Sequence, residues 1–394
     1  MSLREGGYAG PVTLIGDEPA LPYQRPPLSK AYLVGKLDAA ALSLRTESFF
    51  KEKGIDVLHG RRVAAIDRAG RRVHLETGEG LHYEHLVLAT GTRNRELLVP
   101  GSELGNVMSL RSLRDATVLR AAMAGKRRAV VAGAGFIGME FAAVASSLGL
   151  EVTVIETASR ALARSCSPEI AEWLQRRHGA RGVTFLFGAG VKALNGRDGQ
   201  VGSAVLSDGG WVAAELVLVA VGVVPNAELA EAAGLAVQNG IIVDEHLLTA
   251  DPSVSAVGDC ASAPSVHVAG LVRLESVQNA IDQAKTVAAR LVGRPAPYAS
   301  VPWFWSDQGP DKLQIAGLVG TGTRTLRTGD EGAERFSVLS FRQDGFVGAE
   351  SINRSADHMA ARRLLQAGTL LTYDQAARAN FDLPAFAAAS RTAA

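Results

Sequence analysis

Three glycines and one glutamate are spaced so that they could bind a dinucleotide. Gly133, Gly135 and Gly138 form the pattern GxGxxG, and Glu156 follows eighteen positions after the last of them. The first glycine permits a tight turn, the second lets the backbone approach a pyrophosphate, and the third lets a helix pack closely on a strand. An acid at this distance accepts hydrogen bonds from a ribose 2′-hydroxyl and repels a 2′-phosphate. These residues therefore predict a site for NADH in preference to NADPH.

A strand–turn–helix–strand unit must hold these residues in place. The sequence predicts a short buried strand at Ala129–Ala132, a helix at Phe136–Leu148 and a second strand at Glu151–Ile155. The helix N-terminus would offer free N–H groups and the positive end of its dipole to the phosphates. We therefore expect the NAD site to include the first helical residues Phe136 and Ile137, together with Gly222 after a later strand.

Part of this unit recurs earlier in the chain. Gly7–Glu18 resembles Leu148–Thr157, and His85–Arg93 resembles Glu215–Asn226. The recurrence predicts a duplicated dinucleotide-binding unit with two sites. About twenty residues, which would hold the central strand and the GxGxxG loop, have no counterpart in the first copy. We therefore expect the first strand and phosphate loop of the first site to be missing, and its nucleotide to be retained poorly.

Composition and charge are those of a globular protein. Of the 394 residues 47% are hydrophobic and 21% are charged, and the formal net charge is +1, so no global field favours nucleic acid or a membrane. The two cysteines, Cys166 and Cys260, match no metal-binding spacing, and we expect no metal. No apolar stretch is long enough to cross a bilayer, and the N-terminus has no signal-peptide core. We therefore predict a cytoplasmic protein.

Six segments carry more specific motifs: Gly16–Leu33, Ala89–Arg93, Val131–Phe141, Asp251–Ala261, Glu275–Ala284 and Pro302–Gln308. Through them the chain resembles the ferredoxin reductases of bacterial oxygenase systems, of the putidaredoxin reductase and rhodocoxin reductase type, within the pyridine nucleotide-disulfide oxidoreductase superfamily. The resemblance implies an α/β fold with two Rossmann-like dinucleotide-binding domains and a C-terminal α+β domain. An FAD domain is expected at residues 1–110 and 228–300, an inserted NAD domain at 111–227, and the last domain, with a short flexible tail, at 301–394.

The same resemblance implies roles for individual side chains. Lys30 is expected beside the flavin, Glu140 beside the nicotinamide and Trp305 close to the isoalloxazine, which makes these three the candidate catalytic residues. In addition, Glu140 could pair with Lys30 in a partly dry site. A lysine after a Pro-Pro-Leu-Ser turn is ordinarily solvated, and an aspartate ordinarily caps a helix, so both simpler readings stay open. The residues implied to contact FAD are Asp17, Lys30, Val63, Arg111, Asp259, Val277 and Trp305, and Trp303 is expected in the core.

The implied function is electron transfer without thiols. Where the disulfide reductases of the superfamily carry a cysteine pair, this chain reads PYQRPPLSK, so thiol–disulfide exchange is excluded at that position. The resemblance implies an NADH:ferredoxin oxidoreductase that passes electrons from NADH through FAD to a [2Fe-2S] ferredoxin, which serves a cytochrome P450 or a ring-hydroxylating dioxygenase. Arg25, Arg45 and Lys285 are candidates for a basic docking patch on a monomer or weak dimer. A flavin NADH oxidase or peroxidase, a non-catalytic redox-sensing relative and an inactive truncated fragment remain as alternatives.

Overall fold

The computed structural model describes residues 1–392, and the chain divides into two compact units. Unit 1 comprises Met1–Gln24, Ala40–Arg93 and Val224–Pro302, and unit 2 comprises Arg25–Ala39, Asn94–Val223 and Trp303–Ala394. The predicted flexible tail includes residues 393 and 394, which lie outside the described residues. Among the helices of residues 1–392, none has both the length and the apolar run needed to cross a bilayer.

The strands of the described residues are, in chain order, β1 Val12–Ile15, β2 Ile55–Leu58, β3 Val63–Asp67, β4 Arg72–Leu75, β5 Gly80–His82, β6 Leu86–Leu88, β7 Thr92–Asn94, β8 Val107–Ser109, β9 Arg128–Ala132, β10 Glu151–Glu156, β11 Val183–Phe187, β12 Val191–Arg197, β13 Gln200–Leu206, β14 Trp211–Ala213, β15 Leu216–Val219, β16 Val223–Pro225, β17 Ile241–Ile242, β18 Val254–Ala256, β19 Ala261–Pro264, β20 Leu271–Val272, β21 Trp303–Gln308, β22 Asp311–Gly317, β23 Arg324–Asp330, β24 Arg335–Arg342 and β25 Gly345–Ile352.

The α-helices are α1 Ser2–Glu5, α2 Ala39–Leu42, α3 Glu47–Glu52, α4 Leu113–Met123, α5 Phe136–Ser147, α6 Pro168–Gly179, α7 Glu228–Ala232, α8 Val277–Leu291, α9 Ser355–Gln366, α10 Tyr373–Ala376 and α11 Leu383–Thr392. Short 3₁₀ turns occupy Pro26–Ser29, Gly258–Cys260 and Val319–Thr321.

Unit 1 contains parallel strand pairs beside antiparallel sheets. Strands β1 and β2 pair in parallel, as do β6 and β18, whereas β3, β4 and β5 form an antiparallel sheet. Its core is built from short apolar strands and the inner face of α8, with Leu88, Ile241, Val254 and Ala256 buried. The two parallel pairs contain the strand regions that repeat in the sequence. The missing strand and phosphate loop stay a prediction.

A five-stranded parallel sheet, ordered β11-β10-β9-β15-β8, forms the first half of unit 2. Strand β15 has four consecutive buried residues, Leu216–Val219, which is the continuous apolar pattern of a central parallel strand covered on both faces. The predicted strand–helix–strand unit is confirmed as β9, α5 and β10, with boundaries that differ by one residue each. The carboxyl ends of these strands therefore position the glycine pattern and Glu156 at one edge of the sheet.

The second half of unit 2 is an antiparallel sheet ordered β21-β22-β25-β24-β23, with α9 and α11 packed on it. Phe341, Leu339 and Leu364 are buried between the sheet and these helices. This sheet follows the parallel sheet in the chain, so unit 2 combines α/β and α+β architecture as expected for the implied fold class.

Both ends of α6 are tied to the antiparallel sheet. At its start, the backbone N–H of Ser167 donates to Glu350 Oε1 on β25 at 2.9 Å. Just beyond its end, Arg181 donates to Asp311 Oδ2 at 2.6 Å, and in its last turn His178 Nε2 lies 2.9 Å from Gln308 Oε1. The two halves of unit 2 are thus joined by directional contacts as well as by apolar packing.

Glu350 makes the stability of the fold depend on pH. Burial raises the pKa of this carboxyl to about 7, although hydrogen bonds from Ser167 oppose the shift. A raised folded-state pKa gives stability that is complete below the unfolded value and is lost as the pH rises toward 7. We expect Glu350→Gln, which has no proton to lose, to become more stable than the wild type by about 1–3 kcal/mol between pH 5 and pH 7.5.

Thermal unfolding of both proteins across this pH range checks the prediction, with the exposed Glu52→Gln as the matched control. The melting temperatures of wild type and Glu350→Gln should diverge as the pH rises, whereas those of wild type and control should run in parallel. A Glu350→Gln curve parallel to the wild type would contradict the assignment.

Candidate functional site

The glycine loop of unit 2 has the geometry of a phosphate cradle. Gly133 has a φ of +103°, and a Cβ there would lie 2.4 Å from the carbonyl oxygen of Ala220, so only glycine fits this turn. A Cβ on Gly138 would lie 2.1 Å from the carbonyl oxygen of Gly133, which keeps helix and strand in close contact. At Gly135 a Cβ would meet no atom of the described chain within 4 Å, so its backbone is open to a ligand. Each of the three glycines therefore has the expected steric role.

The start of α5 is suited to an anion. Gly135 caps this helix without a side-chain hydrogen bond from the described residues, so first-turn N–H groups have no side-chain acceptor there. Phe136 and Ile137 open the helix, and Ile137 is partly exposed. Gly222, with a φ of +101°, follows β15 at the same edge of the sheet. These positions fit the pyrophosphate of a dinucleotide.

Glu156 ends β10 beside this loop. Its Oε2 accepts from the backbone N–H of Ala134 at 2.8 Å, and its Oε1 accepts from that of Ala158 at 2.8 Å. Arg160 donates instead to backbone carbonyls, including that of Cys166 at 2.9 Å, so its guanidinium is held within its own loop. The carboxylate of Glu156 is thus fixed at the loop. Of the two arginines that follow it, Arg160 and Arg164, the first is occupied, which favours a ribose hydroxyl over a 2′-phosphate.

Lys30 and Glu140 form a buried ion pair in unit 2. Lys30 Nζ lies 2.8 Å from Glu140 Oε2, and the side chain of Glu140 is only 3% exposed. Ser29, in the same turn as Lys30, donates to Oε2 at 2.5 Å, and Ser306 on β21 donates to Oε1 at 2.5 Å. The proposed Lys30–Glu140 pairing is confirmed, and the reading of Lys30 as an ordinary solvated lysine is wrong. Both oxygens are satisfied, as a buried carboxylate requires.

Strand alternation explains how β21 reaches Glu140. Phe304 and Ser306 lie two residues apart on one face of the strand, and Phe136 and Glu140 lie four residues apart on one face of α5. The ring centroids of Phe304 and Phe136 are 4.4 Å apart. The next residues on the same two faces, Ser306 on β21 and Glu140 on α5, form a hydrogen bond. Packing of the two phenylalanines therefore sets the register that brings the hydroxyl to the carboxylate.

The tryptophans occupy the opposite face of β21. Trp305 lies 5.6 Å from Trp303 between ring centroids, and Trp303 in turn contacts His358 at 5.5 Å and is stacked by Arg362. Trp303 therefore packs against side chains of the antiparallel half, but it is only partly buried, so its expected core position stays a prediction. Trp305, on the same face and partly exposed, remains a candidate for contact with a flat ring.

Arg111 lies at the start of α4, near the turn that carries Lys30. Its backbone carbonyl accepts from Arg25 at 2.9 Å, and its N–H donates to Asp115 at 3.1 Å. The structure therefore connects Arg111 with Arg25 within unit 2, which the sequence separation of 86 residues concealed.

Asp17 and Val63, the first two FAD candidates of unit 1, lie near one open cavity of about 300 Å³. Asp17 follows β1 and lines this cavity together with Arg61 and Arg62, and Val63 is the next residue and begins β3. A carboxylate after a parallel strand, facing such a cavity, fits the hydroxyls of a ribose.

Asp259 and Val277 lie where a 3₁₀ turn packs against α8. The hydroxyl of Thr92 donates to Asp259 Oδ2 at 3.4 Å, and the N–H of Gly258 donates to Gln283 on α8 at 2.6 Å. Ser276 caps α8, and the 3₁₀ turn has no side-chain cap, so the alternative reading of Asp259 as a helix cap is wrong. Val277 is partly exposed in the first turn. The residues of unit 1 thus offer an acid and, at the start of α8, the exposed residue Val277, which fit the polar chain of FAD.

Neither cysteine is placed for redox chemistry. Cys166 and Cys260 are free and buried. Burial and the neighbouring Glu350 raise the pKa of the Cys166 thiol well above its ordinary value, which disfavours the reactive thiolate. Within residues 1–392, no group of three histidine, cysteine or acidic side chains is arranged to hold a metal ion.

Comparison with known proteins identifies the family. Residues 1–284 match the model of the pyridine nucleotide-disulphide oxidoreductases, and residues 303–387 match that of the reductase C-terminal domain. The chain belongs to the pyridine nucleotide-disulphide oxidoreductase family. It is 47% identical to rhodocoxin reductase of Rhodococcus erythropolis over 384 residues, which cover 97% of this chain and 90% of that protein.

Solved structures agree with this membership. The ferredoxin reductase for the CYP199A2 system from Rhodopseudomonas palustris superposes with a TM-score of 0.96 at 47% identity, covering 98% of this chain and 95% of that one. The reductase in the covalent putidaredoxin reductase–putidaredoxin complex superposes with a TM-score of 0.95 at 36% identity, covering 99% of this chain and 95% of that one. The predicted family and fold class are confirmed, and so is an oxidoreductase that uses FAD and NADH.

The sequence reasoning missed the two serines that hold Glu140. Ser29 lies in RPPLSK and Ser306 in PWFWSDQ, both inside motifs that carry the family resemblance. The signal was available as a hydroxyl next to each candidate catalytic residue, Lys30 and Trp305. The sequence does not reveal which face of β21 packs against α5, and this face decides whether the hydroxyl of Ser306 reaches Glu140.

Glu156 gives a testable nucleotide preference. We expect Glu156→Gln to lower the ratio of kcat/KM for NADH over NADPH by about tenfold or more, because the amide loses a charged hydrogen bond and no longer repels a 2′-phosphate. Steady-state kinetics with both nucleotides measure the ratio. Glu151→Gln, at the exposed other end of the same strand, is the control and should leave the ratio unchanged. An unaltered ratio in Glu156→Gln would refute the role.

Proposed function

We propose that this enzyme oxidises NADH and passes the electrons one at a time to a [2Fe-2S] ferredoxin that supplies a cytochrome P450 or a ring-hydroxylating dioxygenase. The observation that carries the proposal is the Lys30–Glu140 pair, whose acid lies on the helix that begins at the phosphate loop, in a chain without a redox cysteine pair. When bound, FAD accepts a hydride from NADH and gives up the two electrons singly.

The residues of unit 2 bind and orient the nicotinamide nucleotide in this proposal. The glycine loop and the start of α5 take the pyrophosphate, and Glu156 takes the adenosine ribose. Glu140 lies five residues after Gly135, a little more than one helical turn further along α5. It is therefore suited to hold the nicotinamide end, with the charge of Lys30 fixed beside it.

We assign FAD to the predicted residues, each for a local reason. Asp17 and Asp259 supply carboxylates for hydroxyl groups, and Val63 and Val277 supply backbone groups at the start of β3 and α8. Lys30 supplies a cation, Trp305 supplies an aromatic face, and Arg111 follows from the family motif. These assignments rest on the family motifs together with the local geometry of each residue.

Electrons leave by a route that needs no thiol. Both cysteines are buried, and the turn that carries Lys30 has none, which argues against an NADH peroxidase that depends on a redox cysteine. The similar reductase solved in a covalent complex with putidaredoxin supports a small iron–sulfur protein as the acceptor. We propose that it docks transiently on a monomeric or weakly dimeric enzyme in the cytoplasm.

Charge would guide this docking. All three predicted basic residues are exposed, and each has a partner: Arg25 donates to the carbonyl of Arg111, Arg45 donates to that of Leu44, and Lys285 lies beside Asp282. Exposed arginine and lysine side chains attract an acidic partner and raise the association rate at low salt. Arg25, Arg45 and Lys285 therefore all remain candidates for steering a ferredoxin.

Reconstitution tests the whole function. We expect the FAD-loaded enzyme with NADH to reduce a purified [2Fe-2S] ferredoxin anaerobically, visible as loss of its absorbance and as a one-electron signal in electron paramagnetic resonance. The rate should fall as salt rises from about 0.05 to 0.5 M, because screening weakens charge steering. NADH consumption that yields only peroxide in air, with no reduction of the ferredoxin, would overturn the proposal.

Lys30 tests the chemical step. We expect Lys30→Met to slow flavin reduction at saturating NADH by about ten- to a hundredfold, because the site loses its fixed positive charge, while the Kd for NADH changes less than about threefold. Stopped-flow absorbance gives both quantities from the dependence of the rate on NADH concentration.

Lys36→Met, an exposed lysine in the same segment, is the matched control and should behave as wild type. The melting temperature of each variant guards against general loss of fold, since removing Lys30 leaves a buried carboxylate without its cation. A folded Lys30→Met protein with wild-type flavin reduction would refute the role of Lys30.

A further inference from the structure

A line of buried polar side chains continues from Glu140 in the direction away from Lys30. Ser306 donates to Glu140 Oε1 at 2.5 Å, and Gln308 Nε2 donates to Ser306 Oγ at 2.9 Å. His178 Nε2, on α6, lies 2.9 Å from Gln308 Oε1. Ser306, Gln308 and His178 are each 0% exposed. The line therefore joins α6, β21 and α5 entirely within the core of unit 2.

The hydrogen bonds in this line run in one direction. A carboxylate only accepts, so the single hydroxyl proton of Ser306 goes to Glu140, and Ser306 must itself accept from the amide of Gln308. The carbonyl oxygen of that amide then faces His178, which must donate through Nε2. If the amide of Gln308 were rotated, its N–H₂ group would face the Nε2–H group of His178. Its carbonyl oxygen would then compete with Glu140 for the hydroxyl proton of Ser306. The direction at Glu140 is thus fixed by a histidine three side chains away.

The state of His178 agrees with this direction. Nδ1 of His178 is buried and has no hydrogen-bond partner among residues 1–392, as expected for a ring protonated at Nε2 alone. Burial lowers the pKa of His178 to about 4, although the hydrogen bond with Gln308 opposes the shift. The ring is therefore neutral at neutral pH, and its one proton points into the line.

Packing alone does not require polar side chains at His178, Ser306 and Gln308. Phe304 and Phe136 already set the register of β21 on α5, and Arg181 with Asp311 already ties the end of α6 to the sheet. Apolar side chains of similar shape would avoid the cost of burying three polar groups. Three fully buried polar side chains that end on a candidate catalytic carboxylate indicate a role at that carboxylate.

From this arrangement we infer that Ser306, Gln308 and His178 are positioning residues that hold Glu140, and through it Lys30, in the orientation that hydride transfer from NADH requires. The inference rests on the proposed function and extends it to residues outside the nucleotide site. His178 acts through Gln308 and Ser306, and it touches neither Glu140 nor Lys30 by any hydrogen bond of the described residues.

Two substitutions at His178 separate positioning from packing. His178→Phe keeps a flat ring but loses the donor, and we expect it to lower the limiting rate of flavin reduction by about tenfold with less than a threefold change in the Kd for NADH. His178→Gln places an amide N–H near the position of Nε2 and should restore the rate to within about threefold of wild type. Ser306→Ala, which removes the donor to Glu140 directly, should match or exceed the loss in His178→Phe.

The matched control is His85→Phe in unit 1. His85 also bonds to a buried serine hydroxyl, Ser255 at 2.8 Å, and burial lowers its pKa to about 4 as well, so its replacement likewise removes a histidine–serine hydrogen bond. Melting temperatures compare the two phenylalanine variants. Equal rates in His178→Phe and His85→Phe, with NADH still reducing the wild-type flavin, would overturn the inference and leave the proposed function intact.

A readout independent of turnover follows the tautomer directly. In ¹⁵N spectra of histidine-labelled protein, with the His178→Phe spectrum to identify the signal, we expect His178 to stay neutral and protonated at Nε2 from pH 6 to 8. A ring protonated at Nδ1, or one that titrates in this range, would overturn the direction of the line. If NADH fails to reduce the flavin of the wild type, the proposed function fails. The ¹⁵N measurement of His178 still tests the direction of the hydrogen bonds between His178 and Glu140.

Discussion

A carboxylate with almost no access to water is the constraint on which this structure depends. Glu140 must be ionised to pair with Lys30, and an ion of this kind is costly to bury unless every oxygen finds a donor. The donors come from Ser29 and Lys30 in a turn near the start of the chain and from Ser306 near residue 300. Three segments that are far apart in sequence must therefore assemble correctly before the site exists.

The position of Glu140 on α5 links two tasks of the nucleotide site. The same helix presents its N-terminus to a phosphate group and, a little over one turn later, presents the acid. Since both groups belong to one rigid element, a nucleotide seated on the loop lies in a set relation to the Lys30–Glu140 pair. The absence of a cysteine pair leaves this charged group, with its serine ligands, as the chemically distinctive feature of unit 2.

Local patterns could be predicted from the sequence, and partnerships between distant side chains mostly could not. The GxGxxG unit was predictable because three glycines and an acid lie within one strand–helix–strand stretch, and helix α5 ends one residue before the expected Leu148. The Lys30–Glu140 pairing followed from family motifs. By contrast, nothing in the sequence indicates that Ser306 donates to Glu140, or that Ser276 and not Asp259 caps α8. Such outcomes depend on which face of a strand meets a helix, and spacing in the sequence does not fix that.

Helix α6 is held at its beginning by Glu350 and at its end by Gln308 and Asp311, all three from the antiparallel sheet. Exchange of the C-terminal domain among related reductases must preserve these contacts between α6 and the sheet. A chimera that takes residues 303–392 from a relative would break the contacts at both ends of α6 unless the donor carries the same acid, amide and aspartate. A chimera should therefore take α6 and the C-terminal sheet from the same parent protein, although more than a hundred residues of chain separate the two.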